Sequence, residues 1–283
     1  SRPWTRVDAA ARLMPLVVCP TPIGNLEDVT LRVLRELAEA DLVLCEDTRR
    51  TGVLLARHGV EARLLSFHRH NEAGRTAEIL PRLEEGARIA LASDAGLPGV
   101  NDPGASLVRA ALDRGVPVTV LPGASAVETA LVASGLVGER YTFLGYLPRG
   151  EAGLGRLWQE LADWEWPAVA FESPRRLPAS LGGLAAAHPE RPVAVCRELT
   201  KRFEEVVRGP AREVAARFRE PPKGEVTLVI GAGRPSALRA NEIEALAAVA
   251  ELVEAGIPRR RATDVVARLT GLPRNRIYRD SLP

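Results

Sequence analysis

Ile89–Ser106 reads IALASDAGLPGVNDPGAS, and the way it divides decides the fold. Ile89 to Ala92 is a short apolar run bounded by a charge and a turn, the pattern of a buried strand. A loop follows with three glycines, Gly96, Gly99 and Gly104, and two prolines, Pro98 and Pro103. Asp102 has the character of a helix N-cap. Pro103 fits a first helical turn, where its missing N–H has no partner to lose. The stretch is therefore expected to run strand, glycine loop, helix. Glycines let backbone approach a ligand closely. The loop carries Asp94 and Asp102 and no cationic side chain, whereas a phosphate cradle calls for the opposite sign. It suits a ligand that is cationic or rich in hydroxyls. Alone it is equally an ordinary capped strand-to-helix connection.

The same unit repeats on both sides. Leu16–Cys19, Leu42–Cys45 and Leu64–Phe67 read as strands upstream, and Val116–Leu121 downstream. Helical spacing fills the gaps: Thr30 to Ala40, a helix to His58 stopped by Gly59, one ending near Gly86, and one ending at Arg114 before Gly115. Strict alternation with apolar strands implies a parallel sheet covered on both faces. Such sheets bind ligands beyond the carboxyl ends of their strands. The unusual residues all fall there: Pro20-Thr21-Pro22-Ile23-Gly24-Asn25, Glu46-Asp47-Thr48-Arg49, His68-Arg69-His70-Asn71-Glu72, the SDAG loop, and Pro122-Gly123-Ala124-Ser125-Ala126. One such segment is turn chemistry; five at one sheet edge make a site.

From Tyr141 the pattern changes. Tyr141–Tyr146, Ala168–Phe171, Val193–Cys196 and Val226–Ile230 read as strands, with Phe203–Val207 as a further one. About two helices intervene, near Leu157–Ala162 and Leu177–Ala186, so a second, mixed α/β domain is expected. Its strand ends carry Glu172-Ser173-Pro174-Arg175-Arg176, Arg197-Glu198-Leu199-Thr200-Lys201 and Lys223-Gly224-Glu225. Arg176 and Arg202 are read as solvated surface residues. Residues 231–236 read as a linker. An alanine-rich helix over Asn241–Ala255 follows, then two short helices broken at Gly271-Leu272-Pro273. Gly256–Pro283 holds seven arginines against Asp264 and Asp280, a net of +5, and these can meet phosphates or simply solvate a helical pair. The expected division is 1–14 as a tail or tag-like extension, 15–125 as the parallel α/β domain, 126–233 as the mixed-sheet domain and 234–283 as a basic helical extension.

At 283 residues with 46% hydrophobic and 26% charged residues, the composition is that of a globular protein with a large core. A formal net charge of +2 means that any nucleic-acid binding must come from a local patch. No apolar run approaches the ~20 residues of a membrane span, and the start lacks the long apolar core of a secretory signal. Cys19, Cys45 and Cys196 lie in apolar runs without pairing or ligand spacing, as buried reduced thiols would. His68 and His70 lack a third ligand, and no metal is expected. Among 38 basic residues only Lys201 and Lys223 are lysine, which marks them for work that needs a compact ammonium.

Assembled, PTPIGNLEDVT, EDTR, FHRHNE, SDAGLPGVNDPG, PGASA, FESPRR, RELTK and KGE resemble the tetrapyrrole methylase superfamily of S-adenosylmethionine enzymes, in particular its ribosomal RNA methyltransferase branch. The resemblance runs from about Leu16 to the C-terminus. Leu97 stands where a Thr is usual after SDAG. The resemblance implies two α/β domains with S-adenosylmethionine in the cleft between them, a cytoplasmic homodimer, and 2′-O-methylation of a decoding-centre cytidine in the 16S rRNA of the small ribosomal subunit. It places the cofactor on Pro22, Gly24, Ser93, Asp94, Ala95, Gly96, Leu97, Val100, Ser125 and Ala126, with Tyr146 and Glu172 from the second domain. It directs Arg49, His68, Asn71, Arg175, Arg259, Arg260, Arg274 and Arg276 to RNA. Absence of GxGxxG after the first strand argues against a Rossmann methyltransferase or dehydrogenase. Methyl transfer to a hydroxyl needs in-line positioning and a group to take or polarise the proton. The candidates are Glu46, Asp47, Glu198, and Lys201 or Lys223 if burial lowers a lysine pKa. A small-molecule methylase and a catalytically silent RNA-binding assembly factor are the competing readings. The basic tail counts against the first and the intact SDAG and PGASA loops against the second.

Overall fold

A computed structural model describes residues 15–233 and 237–282. The tail-like segment 1–14 and linker residues 234–236 lie outside the described residues. The first sheet contains β1 (Leu16–Cys19), β2 (Leu42–Cys45), β3 (Leu64–Ser66), β4 (Ile89–Ala92) and β5 (Val118–Val120), in the order β3-β2-β4-β1-β5. Every pairing in it is parallel. Its helices are α1 (Leu31–Glu39), α2 (Thr48–Arg57), α3 (Glu72–Glu84) and α4 (Ala105–Asp113). Successive residues of a strand face opposite sides. Leu16, Leu44 and Leu91 therefore pack on Ile79, Leu83 and Leu107. Val17, Val43 and Ala90 pack on Val33, Leu37 and Leu55.

The second sheet contains β6 (Thr142–Tyr146), β7 (Ala168–Glu172), β8 (Pro192–Arg197), β9 (Glu205–Pro210) and β10 (Val226–Ile230), in the order β6-β7-β10-β8-β9. β6 runs parallel to β7 and the other pairings are antiparallel, a mixed sheet as expected. One face is covered by α6 (Glu151–Leu161), α7 (Leu177–Ala187) and α8 (Ala211–Arg217), through Trp158, Leu161, Leu181 and Val214. On the other face α5 (Ala126–Ser134) seats Val127, Ala130 and Leu131 against Val169, Ala194, Cys196 and Val229. Ile23, from the turn after β1, joins that same cluster. The end of the first sheet is thus packed directly onto the second.

At the C-terminus α9 (Ala237–Glu254), α10 (Arg259–Thr270) and α11 (Arg274–Asp280) share a small core of Ala245, Val249, Ala262, Val266 and Ile277. Gly271, at φ 71°, ends α10 in the left-handed conformation that glycine tolerates. Among the described residues no helix is long and apolar enough to cross a membrane.

Several expectations need correction. Asp102 is not an N-cap. α4 begins at Ala105, after Gly104 at φ 127°, and a Cβ on Gly104 would meet Leu91 Cδ2 at 2.6 Å. The helix start is held by the Glu72 carboxylate of α3, which accepts from the Gly104 N–H at 2.9 Å and from the Ser106 hydroxyl. A carboxylate brought from another helix does the capping, and Asp102 is released to the loop. Three helices, not two, cover the far face of the second sheet. The seven residues of α8 are too few to show a period. β9 begins at Glu205 rather than Phe203. Gly231 and Gly233 are not free linker. The Arg191 guanidinium donates to the Gly231 carbonyl, and the Gly233 N–H donates to that of Trp164, each at 2.6 Å.

Candidate active site

β4, β1 and β5 are neighbours, so the loops leaving their carboxyl ends converge. The turn after β1 and the SDAG loop are fastened to each other. Thr21 and Gly96 exchange backbone hydrogen bonds at 2.9 Å in both directions. The Thr21 hydroxyl donates to the Ser93 carbonyl and the Ser93 hydroxyl to that of Gly96. Gly96, at φ 78°, makes the turn that a side chain would oppose. On the other flank, a Cβ on Gly123 would meet Pro20 at 2.7 Å, so PGASA lies against PTPIGN.

Between these loops and the second sheet lies a cavity of about 790 Å³. Ala95, Gly96, Leu97, Val100, Ser125 and Ala126 line it from the first sheet, and Tyr146 and Glu172 from the second. All eight are among the residues expected at the cofactor. The second-sheet wall is aromatic, with Phe171 edge-on to Phe143 at 5.0 Å and to Tyr146 at 5.6 Å between ring centroids. Glu172 reaches the lining but its side chain is fully buried, bonded to the Ser173 N–H and the Ser180 hydroxyl and paired with Arg176 at 3.2 Å. It anchors the start of α7 through these three contacts. Arg176 is a half-buried structural residue rather than a solvated one, donating to the carbonyls of Leu147 and Pro148.

Two groups in this cavity await a partner. The buried Asn101 Nδ2 has no hydrogen-bond acceptor. Asp102 faces the cavity half-buried, and burial with the nearby carboxylates of Glu46 and Asp94 pushes its pKa up to about 6. Arg69 opposes that shift, and its guanidinium lies against the Asn101 carbonyl at 2.5 Å.

A second chamber of about 340 Å³ adjoins the first across Ile23, Ala95 and Glu225, which line both. Pro22, Gly24, Ser93 and Asp94 line this one, together with Arg50 and Lys201. Asp94 therefore does not border the larger cavity. One oxygen accepts the Asp47 N–H at 2.9 Å and the other faces Arg50 at 3.5 Å, tying the loops after β4 and β2 together.

Lys201 Nζ donates to Glu198 at 2.8 Å and to Glu225 at 2.9 Å. Glu198 also accepts the Glu225 N–H at 2.9 Å, so RELTK and KGE close on each other. Burial alone would lower the Lys201 pKa, but the hydrogen bonds from Glu198 and Glu225 outweigh it and leave it raised. The two carboxylates thus favour the ammonium form of Lys201, the opposite direction from the lowering by burial that the sequence suggested. The same hydrogen bond lowers the Glu198 pKa. Glu198 (φ 52°) and Thr200 (φ 64°) hold left-handed backbone, which a β-branched residue rarely adopts. The Asn25 N–H donates to the Thr200 hydroxyl at 2.9 Å. This crossing requires glycine at 24, since a Cβ there would sit 2.5 Å from Lys201 Cγ and 2.7 Å from the Leu199 carbonyl oxygen.

The remaining expected residues are dispersed. Lys223 is exposed on the far side of Arg197, which donates to its carbonyl. Asp47 caps α2 and clamps the guanidinium of Arg49, which with the Arg49 N–H lowers the carboxyl to about 2. Neither Asp47 nor Arg49 lines a chamber. Glu46 sits behind the acidic wall, its pKa raised by burial and by Asp94. His68 and Asn71 close the turn after β3 on each other, the His68 N–H donating to Asn71 Oδ1. Arg175 is exposed beyond β7. In the tail, Arg259 donates to the Ser281 carbonyl, Arg274 pairs with Asp264 and Arg276 with Asp280, while Arg260 is exposed. Sequence reasoning missed Ile23, Arg50 and Asn101 as site residues, and read Asp102 both as a cap and as part of the loop's acidic charge. The one available signal for the three was position, because they lie in or beside the quoted motifs. Among the described residues no group of three potential ligands could hold a metal.

Residues 15–215 match the family described as Tetrapyrrole (Corrin/Porphyrin) Methylases. Ribosomal RNA small subunit methyltransferase I of Micromonospora olivasterospora is 44% identical over 93% of this chain and 85% of its own length. The protein of the same description from Thermotoga maritima is 43% identical over 76% of this chain and 97% of its own. Among solved structures, uroporphyrin-III C-methyl transferase from Thermus thermophilus, complexed with S-adenyl homocysteine, superposes with a TM-score of 0.53 at 20% identity, covering 76% of this chain and 96% of that one. The parallel sheet with its glycine loops, the mixed sheet closing over it and these matches together make the chain a member of the tetrapyrrole methylase family.

Proposed function

We propose that the chain methylates the ribosomal RNA of the small subunit, at the ribose 2′-hydroxyl of a 16S cytidine, with S-adenosylmethionine as donor. The observation that carries it is the paired chambers: an aromatic and acidic cavity joined to a smaller one that presents a protonated lysine. The larger cavity fits the cofactor. Phe171, Phe143 and Tyr146 offer aromatic surface for the adenine, Asn101 Nδ2 is a donor without an acceptor, and the Asp102 carboxyl in the lining favours a positive centre. When bound there, S-adenosylmethionine supplies a methyl group activated by its sulfonium.

The residues of the chain position the acceptor. Lys201 polarises the ribose hydroxyl as a point charge, and Glu198 fixes the ammonium. Glu225 borders both chambers and would accept the hydroxyl proton as the methyl group passes from sulfur to oxygen, the C–S bond breaking to leave a neutral thioether. Ile23 and Ala95, at the waist between the chambers, limit water there. The exposed tail arginines hold RNA phosphates. The resemblance adds a homodimer and a cytoplasmic location, of which light scattering checks the first. The decisive experiment supplies labelled S-adenosylmethionine and small ribosomal subunits lacking the modification. Label in 16S rRNA as a 2′-O-methylcytidine supports the proposal. Label in small molecules alone, or none, rejects it.

A further inference from the structure

Beyond the smaller chamber, a recess of about 720 Å³ opens to the surface between the turn after β1 and the RELTK loop. It shares Gly24, Leu26 and Lys201 with the chamber, so Lys201 stands in the wall between the two. Arg57 and Arg202 stand in its wall. Arg202 has no carboxylate partner among the described residues, and its guanidinium carbon lies 5.6 Å from the ring centroid of Phe203. Phe203 is 65% exposed, more than any other aromatic side chain among the described residues. Phe203 follows Arg202 of the recess wall and lies just outside the residues that line it, an apolar ring left exposed beside an unpaired guanidinium.

The loop is also built to hold that pair in place. Thr200 keeps its left-handed backbone through three contacts: its N–H donates to Glu204 at 2.6 Å, its hydroxyl accepts from Asn25, and Lys201 beside it is bound to two carboxylates. Residues 202 and 203 follow immediately and are turned outward. Aromatic faces stack unpaired bases with little sequence preference, and arginines add phosphate and cation–π contacts. The recess is therefore suited to a single-stranded nucleotide.

We propose that the recess receives the nucleotide flanking the methylated one, its base stacked on Phe203 and its phosphate between Arg202 and Arg57. The inference rests on RNA being the acceptor, as argued above. Arg57 is shared with Glu27 at 3.3 Å, so Arg202 is the stronger of the two contacts.

The test uses the full chain with unmodified small subunits. Phe203→Ala should raise KM for subunits about tenfold, in line with the loss of one stacked base, and Phe203→Trp should restore it. Arg202→Gln should reduce the slope of log affinity against log salt by about 0.7, the loss of one phosphate contact on a single strand. S-adenosylmethionine affinity by calorimetry and Tm should be unchanged in all three variants. Wild-type KM in Phe203→Ala would overturn the docking site while the proposed function stands. A wild-type enzyme that leaves subunits unmethylated would overturn both. A KM loss accompanied by weaker cofactor binding would show that Phe203 supports the fold, and would also overturn it.

Discussion

The two walls of the cleft are built in opposite ways. The first-sheet wall works through backbone: Gly96 turns it, Thr21 zips it to the turn after β1, and its charges are acidic. The second-sheet wall works through side chains, with an aromatic cluster and a lysine caught between two glutamates. An acidic backbone wall suits a cationic donor molecule, and a wall presenting a fixed ammonium suits an acceptor with hydroxyls and phosphates. On the proposed reading the second wall is itself divided, its aromatic cluster meeting the adenine and its lysine the acceptor.

The two lysines give the largest expected effect. Lys201→Met should lower kcat about 10²–10³-fold, the usual loss for one charge aimed at a reacting centre. Lys201→Arg keeps the charge but not the shape and should lose at least about tenfold. Lys223→Met should stay within about twofold. Single-turnover rates at saturating subunits and cofactor measure all three. A fall with Lys223 comparable to that with Lys201 would undo the assignment of the walls.

Next comes the seam between the walls. Gly24→Ala places a methyl carbon 2.5 Å from Lys201 Cγ and 2.7 Å from the Leu199 carbonyl, and the backbone atom cannot step aside. Overpacking of this kind costs about 1–3 kcal/mol. We expect turnover to fall about a hundredfold with a Tm loss of a few degrees, since Lys201 is displaced with the loop. Gly52→Ala, which meets nothing within 4 Å, is the control and should match wild type.

What the sequence disclosed follows from what is local. Strand–helix alternation and turn residues are local, so the parallel sheet, its five strand-end loops and the Lys201–Glu198 neighbourhood could be read directly. What depends on the meeting of distant segments could not. The need for glycine at 24 is hidden until RELTK is seen across from it. Glu172 reads as a strand-end carboxylate until Ser180 and Arg176 enclose it. Asp102 reads as a cap until Glu72 arrives to do that work. Lys201 and Lys223 share the same rarity, and only the packing of the KGE turn separates them.

The tail tests whether the acceptor wall extends beyond the cleft. Arg260, Arg261 and Arg268 are exposed, whereas Arg274 and Arg276 are paired with aspartates. Changing the three exposed arginines to Gln should weaken binding of subunits about tenfold and flatten its salt dependence, with cofactor affinity unchanged. Unaltered salt dependence would make the tail a packing element. The same change to Arg274 and Arg276 should act less on RNA than on the melting of the tail.

The smallest effect separates the walls by pH. Asp102 has a folded pKa of about 6 against an ordinary 3.8, raised by burial and by Glu46 and Asp94. The folded state therefore favours the protonated acid. Its contribution to stability is fully present below about pH 4 and is lost as pH rises through 6. Asp102→Asn, neutral throughout, should be more stable than wild type above pH 6, by on the order of 1 kcal/mol after allowance for solvent screening of a half-exposed group. Cofactor binding should run the other way. A sulfonium favours the ionised carboxylate, so wild-type affinity should rise several-fold between pH 5 and 7, and the Asn variant should show a flat profile. Calorimetric titrations with S-adenosylmethionine across that range measure both curves. If the variant keeps the wild-type pH dependence, the acidic wall does not face the cationic centre and the proposed placement of the cofactor is wrong.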